Sequence, residues 1–279
     1  MACPICFSEK KSFNKFPFHT YFNNKNFQYI KCIDCKTIYL SNYPTNEDFK
    51  IMYEFENYHD FFYQSSSITE ELKVVINKYN NLKKNTHNLV CDYGCGNGSF
   101  LKELDISDKC VGVEFTENYT DILNKKYKKK IKFINTEIFF KKNEYNASFD
   151  FIFLNDVLEH VPYPKELLIN LSNKLKKGGK FIITGPVEEN YNLIYYFSKM
   201  IGHIKNLFKI KNTFIPYHLY RTSNFSQKYL FNKVLNFKLL SYETYETGWP
   251  YKNNGLIRNF ISNINFFVFP KKNHYRNNR

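Results

Sequence analysis

Two close cysteine pairs, CPIC at 3–6 and CIDC at 32–35, stand near the start of this sequence with 25 residues between them. Each C-x2-C knuckle presents two thiolates from one tight turn, and two knuckles close a tetrahedral site that needs no water or substrate ligand. Cys3, Cys6, Cys32 and Cys35 are therefore expected to hold a structural zinc in a small ribbon. A rubredoxin-like iron site has similar spacing, but its glycine and aromatic flanks are missing, and a redox dithiol would leave the second pair unexplained. With every ligand supplied by protein, the ion's expected task is to fold a short segment that cannot build its own core.

The second stretch suited to chemistry is LVCDYGCGNGSF, residues 89–100. Gly94, Gly96 and Gly98 follow a short apolar run directly. They permit a sharp turn and a close backbone approach to a ligand, while the helix beyond offers unpaired amides. The Lys-Ser/Thr of a phosphate-cradling loop is absent, and Asp92 stands at the strand end instead. A carboxylate there repels phosphate but accepts a hydrogen bond from an ammonium group, which argues for a ligand bearing an amino acid. Further on, KCVGVEF ends in Glu114, where a carboxylate can take both hydroxyls of a ribose.

Such residues need a strand–turn–helix frame. HNLVCDYG reads as a buried strand, KCVGVEF as a second, IKFINTE as a third and SFDFIFLNDVLEHV as a fourth, with Gly178 and Gly179 of LKKGGKFIITGP turning into a fifth. SQKYLFNKVLNFKLLSYETYE is expected to add a helix and a sixth strand, NINFFVFPKK the seventh, and KKNHYRNNR an unstructured basic tail. The alternation implies an α/β fold with a doubly wound parallel sheet. The expected division is a zinc ribbon at 1–45 and a main domain at 46–279. Within the latter, 46–85 are linking helices capped at Thr45 or Asn46, and 190–225 are a lid insertion.

In this ordered set the sequence resembles the class I S-adenosylmethionine-dependent methyltransferases over about residues 86 to 190. The resemblance implies a seven-stranded Rossmann-like sheet with S-adenosylmethionine as cofactor. It puts Asp92, Gly94, Cys95 and Gly96 in the loop under the methionine part, Glu114 on the ribose, Thr136 or Glu137 near the adenine amino group, and Asn155 beside the cofactor. The usual Asp at the adenine position is missing here. LEHV and KKGG are wording typical of the small-molecule and glycan branch.

Methyl transfer from a sulfonium is an in-line displacement, so alignment and exclusion of water do most of the work, and an oxygen acceptor also needs its proton removed. His218, in FIPYHLYRTSNFS, and His160, in DVLEHV, are the candidate bases, with Tyr217 and Arg221 beside His218 suited to an acceptor hydroxyl or phosphate. Asp156, Glu159 and His160 match the spacing by which similar ubiquinone-pathway enzymes hold a divalent metal. The bland alternative is that Glu159 and His160 only organise their loop.

Across 279 residues, 40 Lys and Arg against 26 Asp and Glu leave a formal charge of +14, which suits anionic partners and also fits a uniformly Lys-rich composition. The start MACPICFSEKK has no apolar leader, and no run is long enough to span a bilayer, so a cytoplasmic protein is expected. The favoured acceptor is a small hydroxylated molecule, a sugar or nucleotide-linked sugar of surface polysaccharide biosynthesis. Two other functions compete with it. One is a ribosomal or transfer RNA methyltransferase using the ribbon and the basic surface, although LNDV replaces the N-P-P-aromatic turn that holds an exocyclic amine. The other is a non-catalytic scaffold. The segment NYNLIYYFSKMIGHIKNLFKIKNTF, 190–214, alternates apolar and basic residues at helical spacing and suits a lid, with a peripheral membrane contact, an oligomer contact or a plain surface helix as alternatives.

Overall fold

The computed structural model describes residues 1–12, 19–53, 68–105, 107–127, 131–188 and 193–244, with short pieces between 256 and 276. The chain forms two compact units, one of residues 1–43 with 186–279 and one of residues 44–185. The N-terminal part of the first unit is a meander of β1 (Lys11–Ser12), β2 (His19–Phe22), β3 (Lys25–Cys32) and β4 (Ile38–Leu40). All their pairings are antiparallel. Phe27, Tyr29, Ile38, Tyr39 and Leu40 of this meander are buried. Of the other described ribbon aromatics, Phe22 and Tyr43 are half-buried and Phe7 and Tyr21 are exposed. The aromatic residues 16 and 18 lie outside the described residues.

The second unit opens with α1 (Asn46–Met52), where Thr45 and Asp48 form a reciprocal capping box. Next comes α2 (Glu70–Leu82), capped by Thr69. The parallel strands follow: β5 (Leu89–Tyr93), β6 (Lys109–Glu114), β7 (Ile131–Asn135), β8 (Phe149–Asn155) and β9 (Leu175–Thr184), in the order β7-β6-β5-β8-β9. Between them lie α3 (Ser99–Lys102), α4 (Glu117–Tyr127), α5 (Thr136–Lys141) and α6 (Pro164–Ser172). The order reverses between β5 and β8, so the carboxyl ends of those two strands flank the crevice where such sheets take ligands. Tyr79 of α2 fixes the opposite end of the strands. Its hydroxyl donates to buried Asp108, which also accepts from the Asn88 backbone and side-chain amides.

The remainder of the first unit holds α7 (Leu193–Leu207), β10 (Tyr220–Arg221), α8 (Asn224–Tyr229) with a π-helical turn at Leu230–Val234, β11 (Ser241–Thr244) and β12 (Asn273–Arg276). β10 pairs antiparallel with β4, Tyr220 opposite Tyr39, so the ribbon sheet is extended by chain from far beyond residue 45. Two expectations are corrected. Among the described residues the parallel sheet has five strands, because the anticipated sixth, at 241–244, pairs antiparallel with 273–276 instead. The same pairing makes a strand of part of the tail expected to be unstructured. The stretch anticipated as the seventh strand lies largely outside the described residues.

Candidate functional site

The turn after β5 is built by left-handed backbone at Gly94 (φ 76°), Gly96 (φ 51°) and Gly98 (φ 74°). A Cβ at Gly94 would also lie 2.6 Å from Val157 Cγ2, so glycine is required there for space as well as for conformation. The Gly94 and Cys95 amides donate to Val113 O at 2.8 and 3.1 Å, which ties the loop to β6. Glu114 at the end of β6 then reaches back. Its Oε2 accepts from the Gly96 amide at 2.9 Å and its Oε1 from the Phe115 amide at 2.8 Å. Burial raises the Glu114 carboxyl, and these two amides draw it down again.

Asp92, at the end of β5, is buried. Asn155, ending β8, donates its Nδ2 to Asp92 Oδ1 at 3.2 Å across the reversal in strand order, and its Oδ1 accepts from the Thr184 hydroxyl at 3.4 Å. Burial pushes the Asp92 carboxyl up to about 8, with the Asn155 amide opposing and the Glu114 carboxylate adding to the rise. Desolvation dominates, and among the described residues no cation is paired with this carboxyl. Thr136 donates its hydroxyl to Glu114 O at 3.2 Å, whereas the Glu137 side chain is exposed and lies 3.7 Å from Lys141. Cys95 is buried, its Sγ lying 2.8 Å from where a Cβ on Gly112 would stand.

Beyond the same strand ends, Tyr53 Oη and His160 Nδ1 lie 3.1 Å apart, and the Tyr53 ring also meets Phe115, centroid to centroid at 6.4 Å. Glu159 is buried, with Oε1 4.0 Å from His160 Nε2. Asp156 does not join Glu159 and His160 in any converging set of metal ligands among the described residues. Tyr53 and Phe115 were not foreseen. Phe115 could have been flagged as the neighbour of a ribose acid, but nothing local marks Tyr53.

The first unit carries a separate polar cluster. Glu188 Oε1 is in very short contact with His218 Nδ1, while its Oε2 pairs with Arg221 Nη1 at 2.8 Å. Arg221 lies over the Tyr29 ring at 5.1 Å, and Tyr29 donates its hydroxyl to His218 O at 2.7 Å. A carboxylate on Nδ1 fixes the imidazole tautomer and leaves Nε2 as the basic nitrogen. Glu188 was missed because it lies thirty positions upstream of His218, with no motif joining them.

In the same unit the four cysteine sulfurs of the knuckles all lie within 4.8 Å of one another. Cys3 Sγ is 3.4 Å from Cys35 Sγ, and Cys6 Sγ is 3.5 Å from Cys32 Sγ. A tetrahedral zinc with Zn–S near 2.3 Å wants sulfurs about 3.8 Å apart, so the donor set fits that ion. Cys35 is drawn down to about 5, chiefly by the hydrogen bond from Cys3, while burial pushes Cys6 up to about 12.

A methyltransferase-domain family model matches residues 66–214. An uncharacterized protein of Methanocaldococcus jannaschii is 34% identical over 92 residues, 33% of this chain and 42% of that protein. The chain thus spans less than half the length of that curated relative. Among solved structures, the plantazolicin methyltransferase BpumL with a triazolic desmethylPZN analog and SAH has 17% identity and a TM-score of 0.49, covering 75% of this chain and 79% of that one. Phosphoethanolamine N-methyltransferase 2 of Haemonchus contortus, with S-adenosyl-L-methionine, has 16% identity and a TM-score of 0.43 over 69% and 54%.

Proposed function

The chain belongs to the methyltransferase-domain family whose model it matches over residues 66–214, and on that premise we propose that it transfers the methyl group of S-adenosylmethionine to a small hydroxylated acceptor. The observation that carries this reading is the pairing of Asp92 with Asn155 across the strand-order reversal, beside the glycine turn held by Glu114. When bound, the cofactor supplies a methyl carbon made electrophilic by its sulfonium.

The chain's own residues do the rest. Asp92 would hold the cofactor's ammonium group, a cation that its buried carboxyl is not paired with among the described residues. Each oxygen of Glu114 accepts one amide and has capacity for a second bond, which the ribose hydroxyls fill. Thr136 is the better-placed partner for the adenine end, since Glu137 points to solvent. His218, its tautomer set by Glu188, is the group we favour as the base for the acceptor's proton. His160, held by Tyr53, serves as a positioning group for the loop after β8. Cys3, Cys6, Cys32 and Cys35 hold a zinc that organises the ribbon and takes no part in the chemistry.

A sugar or nucleotide-linked sugar is the acceptor class we favour. An RNA acceptor is less favoured, because Phe27, Tyr29 and Tyr39 of the ribbon are buried and so not offered to bases, which leaves Phe7 and Tyr21 as its exposed aromatics among the described residues. The test has two parts. S-adenosylhomocysteine is titrated into the protein by calorimetry, and absence of binding would return the chain to the scaffold reading. Methyl-labelled S-adenosylmethionine is then supplied with fractionated cell extract. Label in the small-molecule pool supports the proposal, and label lost on RNase treatment overturns the acceptor class while leaving the activity standing.

A further inference from the structure

Helix α7 carries its apolar residues on the wrong side for a soluble helix. At 100° per residue, Tyr196, Phe197, Met200, Ile204 and Leu207 of the helix, with Phe208 just after it, fall within one sector of about 120°. Those six side chains are between 37% and 78% exposed. The opposite side is the one that packs, with Gly202 buried and Tyr195 and Ser198 half-buried. Ile210 and Phe214 continue the exposed apolar surface past the helix end.

The charge around this surface is of one sign. No Asp or Glu occurs between 190 and 242, whereas Lys199, Lys205, Lys209 and Lys211 lie in or directly after the helix. Among the described residues none of the four is paired with an acid. Lys199 lies over the Tyr195 ring at 5.6 Å, Lys205 donates to Asn212 Oδ1 at 3.0 Å, and Lys211 lies over the Tyr21 ring at 5.2 Å.

We propose that α7 docks the protein on an anionic membrane surface, its apolar sector sunk to the acyl boundary and its lysines reaching the headgroups. Among the described residues no helix is long and apolar enough to cross a membrane, so α7 lies in the interface plane. A second copy of the chain is disfavoured as occupant, because a two-fold contact through this face would set lysines against lysines. A nucleic acid would answer the charge but not the aliphatic stripe of Met200, Ile204 and Leu207.

The full chain is cosedimented with vesicles of phosphatidylcholine alone and of a phosphatidylcholine–phosphatidylglycerol mixture. Binding to the mixture is expected to be at least about tenfold tighter. The double substitution Met200→Glu with Ile204→Glu, at outward side chains, should abolish it. As a second readout, Phe208→Trp should move its emission to shorter wavelength only when mixed vesicles are added. The proposal is overturned by equal or absent binding to both vesicles, or by a double variant that binds like the parent. It is equally overturned by self-association that the double substitution removes, or by RNA capture that it leaves intact, when either occurs without vesicle binding.

Discussion

At the scale of single residues, the candidate site rests on two carboxyls in different states of satisfaction, Asp92 buried and Glu114 half-buried. Glu114 has amides on both oxygens, whereas Asp92 has one side-chain amide and a carboxyl raised to about 8. The unfolded chain loses the Asp92 proton near pH 4. This group's contribution to stability is therefore full below about pH 4 and shrinks as pH rises through about 8. A bound ammonium group reverses the preference, so affinity for S-adenosylhomocysteine should rise with pH up to about 8 with release of a proton. Calorimetry in buffers of different ionisation heat checks this, and Asp92→Asn should remove the proton release while weakening binding about tenfold or more. Glu188→Gln should lower kcat by about tenfold to a hundredfold with cofactor affinity unchanged, as loss of an orienting partner does. An unchanged kcat would take Glu188 out of the machinery. Asp92 and Glu114 were legible in the sequence because each sits at the end of an apolar run whose period gives the strand. Glu188, Tyr53 and the Asn155–Asp92 bond were not, since they depend on how distant segments fold onto one another.

At the scale of elements, the parallel strands could be read from short apolar runs, a local signal, but β9 starts earlier than expected, with Gly178 and Gly179 inside it beside a register shift and not in a turn before it. The strands at 220–221, 241–244 and 273–276 could not be assigned partners, because pairing is decided across the fold. The sheet's far end shows what holds such an arrangement. The Tyr79 hydroxyl is the point where α2 meets the Asn88–Asp108 pair at the starts of β5 and β6. Tyr79→Phe leaves the ring packed against Phe151 and Phe153 but strands an acceptor lone pair on buried Asp108. The expected cost is about 1–3 kcal/mol, read as a lower urea midpoint with little change in slope. A change within error would mean that water reaches Asp108.

At the scale of the whole molecule, the ribbon and the segment bearing His218 belong to one unit. β10, which carries Arg221, is hydrogen-bonded to β4, and β4 follows the second knuckle closely. Metal analysis should find about one zinc per chain. Stripping it with a strong chelator should lower turnover by loosening Arg221 and His218, although the ion touches no substrate. S-adenosylhomocysteine affinity, which rests on residues of the other unit, should survive. Loss of cofactor affinity in step with the metal would refute that separation. The β4–β10 pairing also sets an order on synthesis. Tyr39 leaves the ribosome about 180 residues before its partner Tyr220, an interval on the order of ten to forty seconds at ordinary elongation rates. Throughout it the nascent knuckles must shield a half-built sheet, so cells short of zinc during translation should accumulate chains damaged at their beginning before their end exists.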